Sequence, residues 1–595
     1  MRETREHVLP LDGTVVYPRD VVGGKGGSIA KMAALGLSVP PAFVIPIAVG
    51  QRYRLAGLEL ESGIWEEVIA GVGELEGKAG RSFGDLEAPM LVSVRSGAAM
   101  SMPGMMDTIL NLGINDDVER ALARMCGDRA FARATHTRFV YDFGTIVLRA
   151  PVDSPEAASA PEDARAAVAE SCGLQVPTNP LEQLRAAICA VFESWSSRRA
   201  VAYRRQWGLS DEGGTAVVVQ AMAFGNLGKR SGTGVLFTRD PLNGAPAAYG
   251  EWLLGAQGDD VVGGTHSPAS LSTLQREMPE VHRELVEAGQ LLEREHRDVQ
   301  DIEFTVEQGR LYLLQTRAAK RSAVAAVRIA ADLASEGIID RRSALSRVSS
   351  EQLAAAIAPR IAPPALDTAE ILAEGVPACP GVAWGTVVLD GEDAQAADGD
   401  VVLARPMTSP ADIEGIIAAR GLVTERGGAT SHAAVVSRAL GRPSVVGVGE
   451  GTTGGWAGQE ITVDGGAGVV YAGRLALEET DAGSVPGFDA LLAWAREQCP
   501  VRIVESAEEV VDLDARTGEV DPSIEALAEV IRGAPAVAGC VVASAAGARA
   551  VVASGVTTVV RRPEQDEALL LLHLAHAARE EDGRGSAEAR TEEDT

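Results

Sequence analysis

Of the eight histidines in this 595-residue chain, one stands where covalent phosphorus chemistry is plausible on residue type and spacing. It is His432, in the run Thr424-Glu425-Arg426-Gly427-Gly428-Ala429-Thr430-Ser431-His432-Ala433-Ala434-Val435-Val436-Ser437-Arg438. Thr430 or Ser431 is a good N-cap, and the residues that follow have helix-forming and apolar character, which predicts a helix with His432 in its first turn. Free N–H groups and the positive end of the helix dipole favour an anion there. That is an awkward place for an imidazolium. It suits an imidazole that attacks phosphorus and then carries a dianionic phosphoryl group. Gly427 and Gly428 permit a donor to approach, and Arg426 can neutralise charge in the transition state. A single histidine at such a turn is more often a cap or a surface residue, so this reading depends on what else the chain carries.

A phosphorus nucleophile needs a phosphate donor, and three earlier segments have the residue types to hold one. In Val22-Gly23-Gly24-Lys25-Gly26-Gly27-Ser28 the glycines let N–H groups approach phosphate oxygens, and Lys25 adds a compact positive charge. This is not the GxxxxGK[ST] loop, and alone it reads better as a plain turn. Arg95, at a strand end ahead of a segment rich in glycine, serine and methionine, can clamp a phosphate bidentately or form an ordinary surface ion pair. In Asp301-Ile302-Glu303-Phe304-Thr305 strand alternation puts Asp301 and Glu303 on one face, with Ile302 and Phe304 packed behind. Two carboxylates on one face are what Mg²⁺ needs beside a polyphosphate. Leu311 to Arg317 supplies a hairpin partner, with Gln315 and Arg317 alternating onto one face. Either strand alone also passes for a solvated strand face.

In this order the segments resemble the ATP-grasp nucleotide-binding region of the pyruvate phosphate dikinase family of PEP-utilising enzymes. The resemblance is carried by SVRSGAAMSMPGMMDTILNLG, GTAVVVQAMAFGN, SGTGVLFTRDPLNG and DIEFTVEQGRLYLLQTR. Downstream, TERGGATSHAAVVSRALGRPSVVG resembles the family's phosphohistidine motif, and Pro380-Gly381 and Thr408-Ser409-Pro410-Ala411-Asp412 match its swivelling domain. The resemblance implies that Lys25 and Arg95 contact the phosphates of ATP and that Asp301, Glu303 and Gln315 hold Mg²⁺ and nucleotide. It further implies that Arg317 assists, that Gln220 and Met222 lie near the adenine, and that the Gly97 to Gly104 loop closes over the transferring phosphates. His432 becomes the phosphorylated residue. Glu425 stands where the family commonly has a small serine, which predicts altered electrostatics near the acceptor side. Thr430 matches a position at which plant members are regulated by phosphorylation.

Around these residues the pattern predicts an α/β multidomain chain. An ATP-grasp nucleotide-binding domain occupies 1–111 and 201–320, and a helical insertion subdomain 112–200. A helical linker follows at 321–370, then a swivelling β/β/α phosphohistidine domain at 371–475, a small α/β C-terminal unit at 488–578, and a disordered polar tail at 579–595. A helix is expected over Ser28 to Leu35. With 83 acidic and 54 basic residues the formal charge is −29, which argues against nucleic acid and anionic membrane surfaces as partners. The charged N-terminus shows no secretory signal, and no uncharged apolar run reaches the ~18 residues of a membrane span. Six scattered cysteines without a CxxC pair suit reduced thiols, so a cytoplasmic location is expected.

The family ends in a large PEP/pyruvate barrel. About 115 residues follow position 480, short of the ~250 of a (β/α)₈ barrel, and Cys499 and Cys540 do not stand in the family's catalytic loop sequence. The pyruvate site is therefore expected to be absent from this chain. The expected activity is a dikinase-type phosphotransfer, in which ATP and inorganic phosphate phosphorylate His432 with release of AMP and pyrophosphate. The phosphoryl group then passes to an acceptor held by another chain or by the small C-terminal unit, the acceptor being pyruvate if a separate barrel subunit is supplied. The alternatives are a His-relay kinase of another small hydroxylated acceptor and a non-catalytic ATP-binding regulator. Self-association is left open.

Overall fold

The computed structural model describes residues 7–98, 107–152, 160–206, 210, 213–257, 268–409, 412–507, 509–513, 524–538, 542 and 545–562, with 570–572, 574–575 and 577–578 beyond them. The part of the Gly97 to Gly104 loop after Ala98, Pro410 and Ala411, Cys540, and the tail from 579 lie outside the described residues.

Two five-stranded sheets are built from the strands between Leu9 and Ala318. The first runs in the order Leu9–Pro10, Ala42–Ile45, Thr215–Ala221, Val92–Ala98, Thr108–Leu112. Its central strand, Thr215–Ala221, is buried throughout, as its continuous apolar run requires. Between Asn115 and Ala200 the elements among the described residues are helices. Helices Asp116–Cys126, Arg129–Asp142, Pro161–Cys172 and Pro180–Ser194 share one core with this sheet, through Val118, Phe139, Val168 and Ile188 against Val94 and Val217.

The second sheet runs Ala269–Ser270, Tyr249–Leu254, Gly232–Phe237, Gln300–Glu307, Arg310–Ala318, with every neighbouring pair antiparallel. Its two faces separate by alternation. Leu236, Ile302, Phe304 and Leu313 pack with Val22 and Ile29 of the Arg19–Ala34 helix and with helices Leu271–Glu277 and Pro279–His296. The opposite face presents two cross-strand rows, one of Glu251, Val235, Glu303 and Gln315, the next of Tyr249, Phe237, Asp301 and Arg317. A register shift between Glu303 and Phe304 bends the hairpin just beyond these rows.

The stretch after Ala318, read from sequence as a connector, is a packed layer. Helices Ala323–Ser335, Arg341–Ser346 and Ser350–Ala356 bury their apolar sides with Val235, Phe237 and the helix Phe488–Gln498. Between these anchors lies an eight-stranded sheet spanning Ile371 to Ala472, in which Val382–Val388, Val401–Arg405, Gly421–Thr424 and Ser444–Val446 are successive parallel neighbours. The segments entering and leaving it pair with each other, Arg360–Ile361 against Leu477–Glu478. The last unit is a four-stranded parallel sheet with helices Ile524–Ile531 and Ala545–Ala553 and a core of its own. Among the described residues no helix is long and apolar enough to cross a membrane.

One ion cluster, buried at Arg239 and Glu293 and open to solvent at Glu336, ties the layers together. Arg239, 3% exposed, donates from Nε and Nη2 to Glu293 Oε1 at 3.0 and 2.7 Å, and from Nη1 and Nη2 to the Glu336 carboxylate at 2.8 and 2.6 Å. Removing one partner of such a cluster strands the other charges. Arg239→Met is expected to lower the unfolding free energy by about 3 kcal/mol in urea titration; a loss below about 1 kcal/mol would mean that water hydrates Glu293 once the guanidinium is gone.

Candidate active site

The glycine run near the N-terminus does not precede a helix; it lies inside one. The helix covers Arg19–Ala34 rather than starting at Ser28, and it is broken at Gly23, whose φ is 72°. A Cβ at Gly23 would sit 1.8 Å from the Gly97 carbonyl oxygen. This close approach seats the Gly23 to Gly27 backbone against the end of strand Val92–Ala98, and the space beside Gly97 is bounded by the Lys25 side chain.

The charged residues expected to work together do meet. Arg95 reaches from the first sheet to the second, where its Nη2 donates to Glu303 Oε2 at 3.1 Å. Arg317 Nε donates to Asp301 Oδ2 at 2.8 Å, and its Nη2 lies 3.9 Å from Glu303 Oε1. The register pairs Glu303 with Gln315 and Asp301 with Arg317, so strand alternation, legible in the sequence, is what assembles the cluster. Burial pushes the Asp301 carboxyl above its ordinary range, with Arg317 opposing it. Burial acts in the same sense on Glu303, but Arg95, Arg317 and Lys25 outweigh it and hold that carboxyl below the usual range.

Two oxygens on this face, Asp301 Oδ1 and Gln315 Oε1, are buried without a hydrogen-bond partner among the described residues. Such atoms are costly unless something takes their lone pairs. With Glu303 beside them they form an oxygen-only donor set that fits a hard cation such as Mg²⁺. Among the described residues no group of three or more His, Cys, Asp or Glu side chains converges on one point. A cation here would thus share its coordination with ligand oxygens, as Mg²⁺ does with polyphosphates. Gln220 and Met222 follow one another at the end of strand Thr215–Ala221. The Gln220 amide donates to Pro40 O at 3.3 Å, and Met222 packs on the first-sheet core; no hydrogen bond among the described residues joins either to the acidic cluster.

The histidine helix runs His432–Leu440, starting where the sequence predicts, with Ser431 as N-cap accepting from the Ala434 N–H. Thr430 does something else. Glu251, from the second sheet, accepts hydrogen bonds from the Ala429 N–H at 2.8 Å, from the Thr430 N–H at 3.0 Å and from the Thr430 hydroxyl. Gly428 lies so close that a Cβ would meet Glu251 Oε1 at 2.2 Å. Glu251 stands in the row of Glu303 and Gln315, two strands and therefore about 10 Å from Glu303. A second contact joins Ile413 to Ala98, Trp195 and Ala200. Sequence reading missed Glu251; its one signal was an acid inside an otherwise apolar strand, here 8% exposed.

His432 Nδ1 is 3.3 Å from Thr408 Oγ1, and Nε2 is buried without a partner among the described residues. With Nδ1–H donating to Thr408, the free lone pair is on Nε2. Burial lowers the imidazole's proton affinity, Asp412 acting against it, so the ring is neutral at neutral pH. Arg426 is not brought against this ring: its Nε pairs with Glu450 at 2.8 Å on an exposed surface. The Glu425 carboxylate is taken up within its own domain, accepting from the Gly451 N–H and from the Thr453 N–H and hydroxyl. It acts as a loop fastener and not as a charge aimed at an acceptor.

Comparison with known proteins bears on the family. Residues 54–286 match the family model for the pyruvate phosphate dikinase AMP/ATP-binding domain, and residues 397–468 the PEP-utilising enzyme mobile domain. The chain is 40% identical over 527 residues to pyruvate, phosphate dikinase 1 (chloroplastic) of Arabidopsis thaliana, covering 82% of this chain and 54% of that protein. It is 44% identical over 454 residues to the corresponding dikinase 1 of Oryza sativa subsp. japonica, covering 72% and 48%. To pyruvate, phosphate dikinase of Clostridium symbiosum it is 39% identical over 529 residues, covering 82% and 60%. The chain thus spans about half the length of the curated relatives it matches.

Two outcomes test the site. Gly23→Ala places a methyl on the Gly97 carbonyl in a left-handed backbone; it is expected to weaken ATP binding at least tenfold in equilibrium titration, and unchanged affinity would refute the close-approach argument. A nucleophile whose proton affinity is lowered loses activity only as the pH falls through that lowered value. At saturating Mg·ATP the acid limb of single-turnover label transfer to His432 is therefore expected below pH 6.5, and lower again in Asp412→Asn.

Proposed function

This chain belongs to the pyruvate phosphate dikinase family through its nucleotide-binding and mobile domains, and on that premise we propose that it carries out the ATP- and phosphate-dependent phosphorylation of His432. The observation that carries the reading is the seating of the histidine loop on Glu251, in the same cross-strand row as Glu303 and Gln315.

The kinked glycine helix and Lys25 receive the phosphates of ATP, and Arg95 and Arg317 turn from their carboxylate partners toward them. Asp301, Glu303 and Gln315 would hold Mg²⁺, which when bound would neutralise polyphosphate charge. His432 Nε2 attacks the β-phosphorus, the bond to the α-phosphate oxygen breaks, and AMP departs with the electron pair. Inorganic phosphate then takes the terminal phosphoryl group as pyrophosphate, leaving phospho-His432. Family membership makes pyruvate the acceptor we favour. Among the described residues the C-terminal unit is a four-stranded sheet and not a barrel, so pyruvate would be met on a further unit, of the same or another polypeptide.

The test uses ATP labelled at the β- or γ-position with Mg²⁺ and phosphate. Acid-labile β-label on the wild type, γ-label appearing in pyrophosphate, stoichiometric AMP, and no label on His432→Ala or after chelation of Mg²⁺ are the expected results. Binding of ATP without any transfer would instead favour a regulator.

A further inference from the structure

Arg438 lies on the histidine helix, and its guanidinium, not Arg426, faces the nucleotide lobe. The residue is 4% exposed. Its Nη1 donates to the Ala378 carbonyl at 2.9 Å, while Nε and Nη2 are buried without a hydrogen-bond partner among the described residues. The guanidinium stands 5.7 Å from the centre of the Phe237 ring, on the second sheet. Phe237 is the cross-strand neighbour of Asp301, so Arg438 is held over the row that contains Asp301 and Arg317. Burial works against its charge, and Cys379, Asp301, Tyr249 and Glu251 work to hold it. Helical side chains lean toward the N-terminus of their helix, which here is the His432 end.

A guanidinium stays protonated, so burying it with two dry N–H groups is strongly unfavourable unless an anion takes them. Among the described residues, buried acceptors likewise lack partners: Asp301 Oδ1 and Gln315 Oε1 on the sheet face that Arg438 stands over, and His432 Nε2 on Arg438's own helix. The phosphoryl oxygens of a nucleotide bound over this face are anions of the kind those N–H groups require.

Building on the half-reaction above, we propose that Arg438 is a catalytic residue that the mobile domain brings with it, donating from Nε and Nη2 to the phosphoryl oxygens of the nucleotide as His432 attacks. The Nε2–P bond forms, the P–O bond to AMP breaks with its electron pair leaving on the AMP oxygen, the Nδ1 proton stays on the ring, and Arg438 transfers no proton. Lys25, Arg95 and Arg317 belong to the nucleotide lobe, so the positive charge around the phosphates is completed only when the histidine is seated. Water reaching the nucleotide in the undocked state meets an incomplete site.

The test is single-turnover β-label transfer by the full chain, alongside equilibrium Mg·ATP binding and thermal melting, for wild type, Arg438→Met and Arg438→Lys. Loss of one donor directed at transition-state charge predicts labelling slowed about a hundredfold in R438M. Mg·ATP affinity should stay within about threefold and R438K should recover part of the rate, because the nucleotide binds before the mobile domain docks. Wild-type labelling with R438M labelling at a similar rate overturns the proposal, as does a fall in Mg·ATP affinity that matches the fall in rate. If R438M does not fold, a folded R438K with full wild-type rate overturns it equally, since lysine cannot reproduce the paired N–H donors. A wild-type chain that takes up no label overturns the half-reaction itself, and this role with it.

Discussion

A single carboxylate holds the arrangement together. Glu251 is anchored in a β-strand of the nucleotide lobe and accepts two backbone N–H groups and a hydroxyl from the loop that precedes His432. Those N–H groups lie just ahead of the helix, where the positive end of its dipole would otherwise face solvent or a phosphate. By occupying them, Glu251 substitutes for the anion that the loop is built to meet, and it does so about 10 Å from Glu303. Nearly every other feature of the site is a consequence of that seating: the burial of His432, the enclosure of Arg438 above Phe237, and the contact of Ile413 with Ala98 and Trp195.

The second sheet makes this economical. Because its strands are antiparallel and in register, one face supplies both the acids for a cation and the seat for the histidine loop, while the other buries Ile302 and Phe304 against three helices. The acids are held in the meantime by Arg95 and Arg317, so no like charges stand exposed to each other across the face. In the proposed half-reaction those same arginines would be the phosphate ligands. Exchange of a carboxylate partner for a phosphate partner conserves their hydrogen bonds, so nucleotide entry leaves few polar groups unsatisfied.

What was legible in the sequence was local. Alternation alone placed Asp301 with Glu303 and Gln315 with Arg317, and a good N-cap placed the start of the His432 helix. The family motifs then linked the two regions. What escaped was set by contacts between segments far apart in the chain. Glu251 and Thr430 are 179 positions apart, and no periodicity couples them. The glycine run was read as a loop because glycine disfavours helices; tertiary contact with Gly97 overrides that preference and leaves only Gly23 outside helical geometry. Arg426 was singled out beside the glycines, yet Glu450 claims it; Arg438, which sequence reading did not single out, is the arginine that side-chain direction along the helix brings to the interface. Glu425 shows the same limit, its acidity being directed into the Gly451 to Thr453 loop.

The short ladder between Arg360–Ile361 and Leu477–Glu478 has a mechanical consequence. The chain enters and leaves the eight-stranded unit through two adjacent strands, and on either side of them both ends are rooted in the same apolar layer, formed by the Ala323–Ser335 and Phe488–Gln498 helices. A body held this way is a door on a paired strap rather than a weight on a string. Displacing the unit would have to carry two adjacent strands together, and rotation about the paired strands is the movement that would keep the Arg360–Ile361 ladder intact.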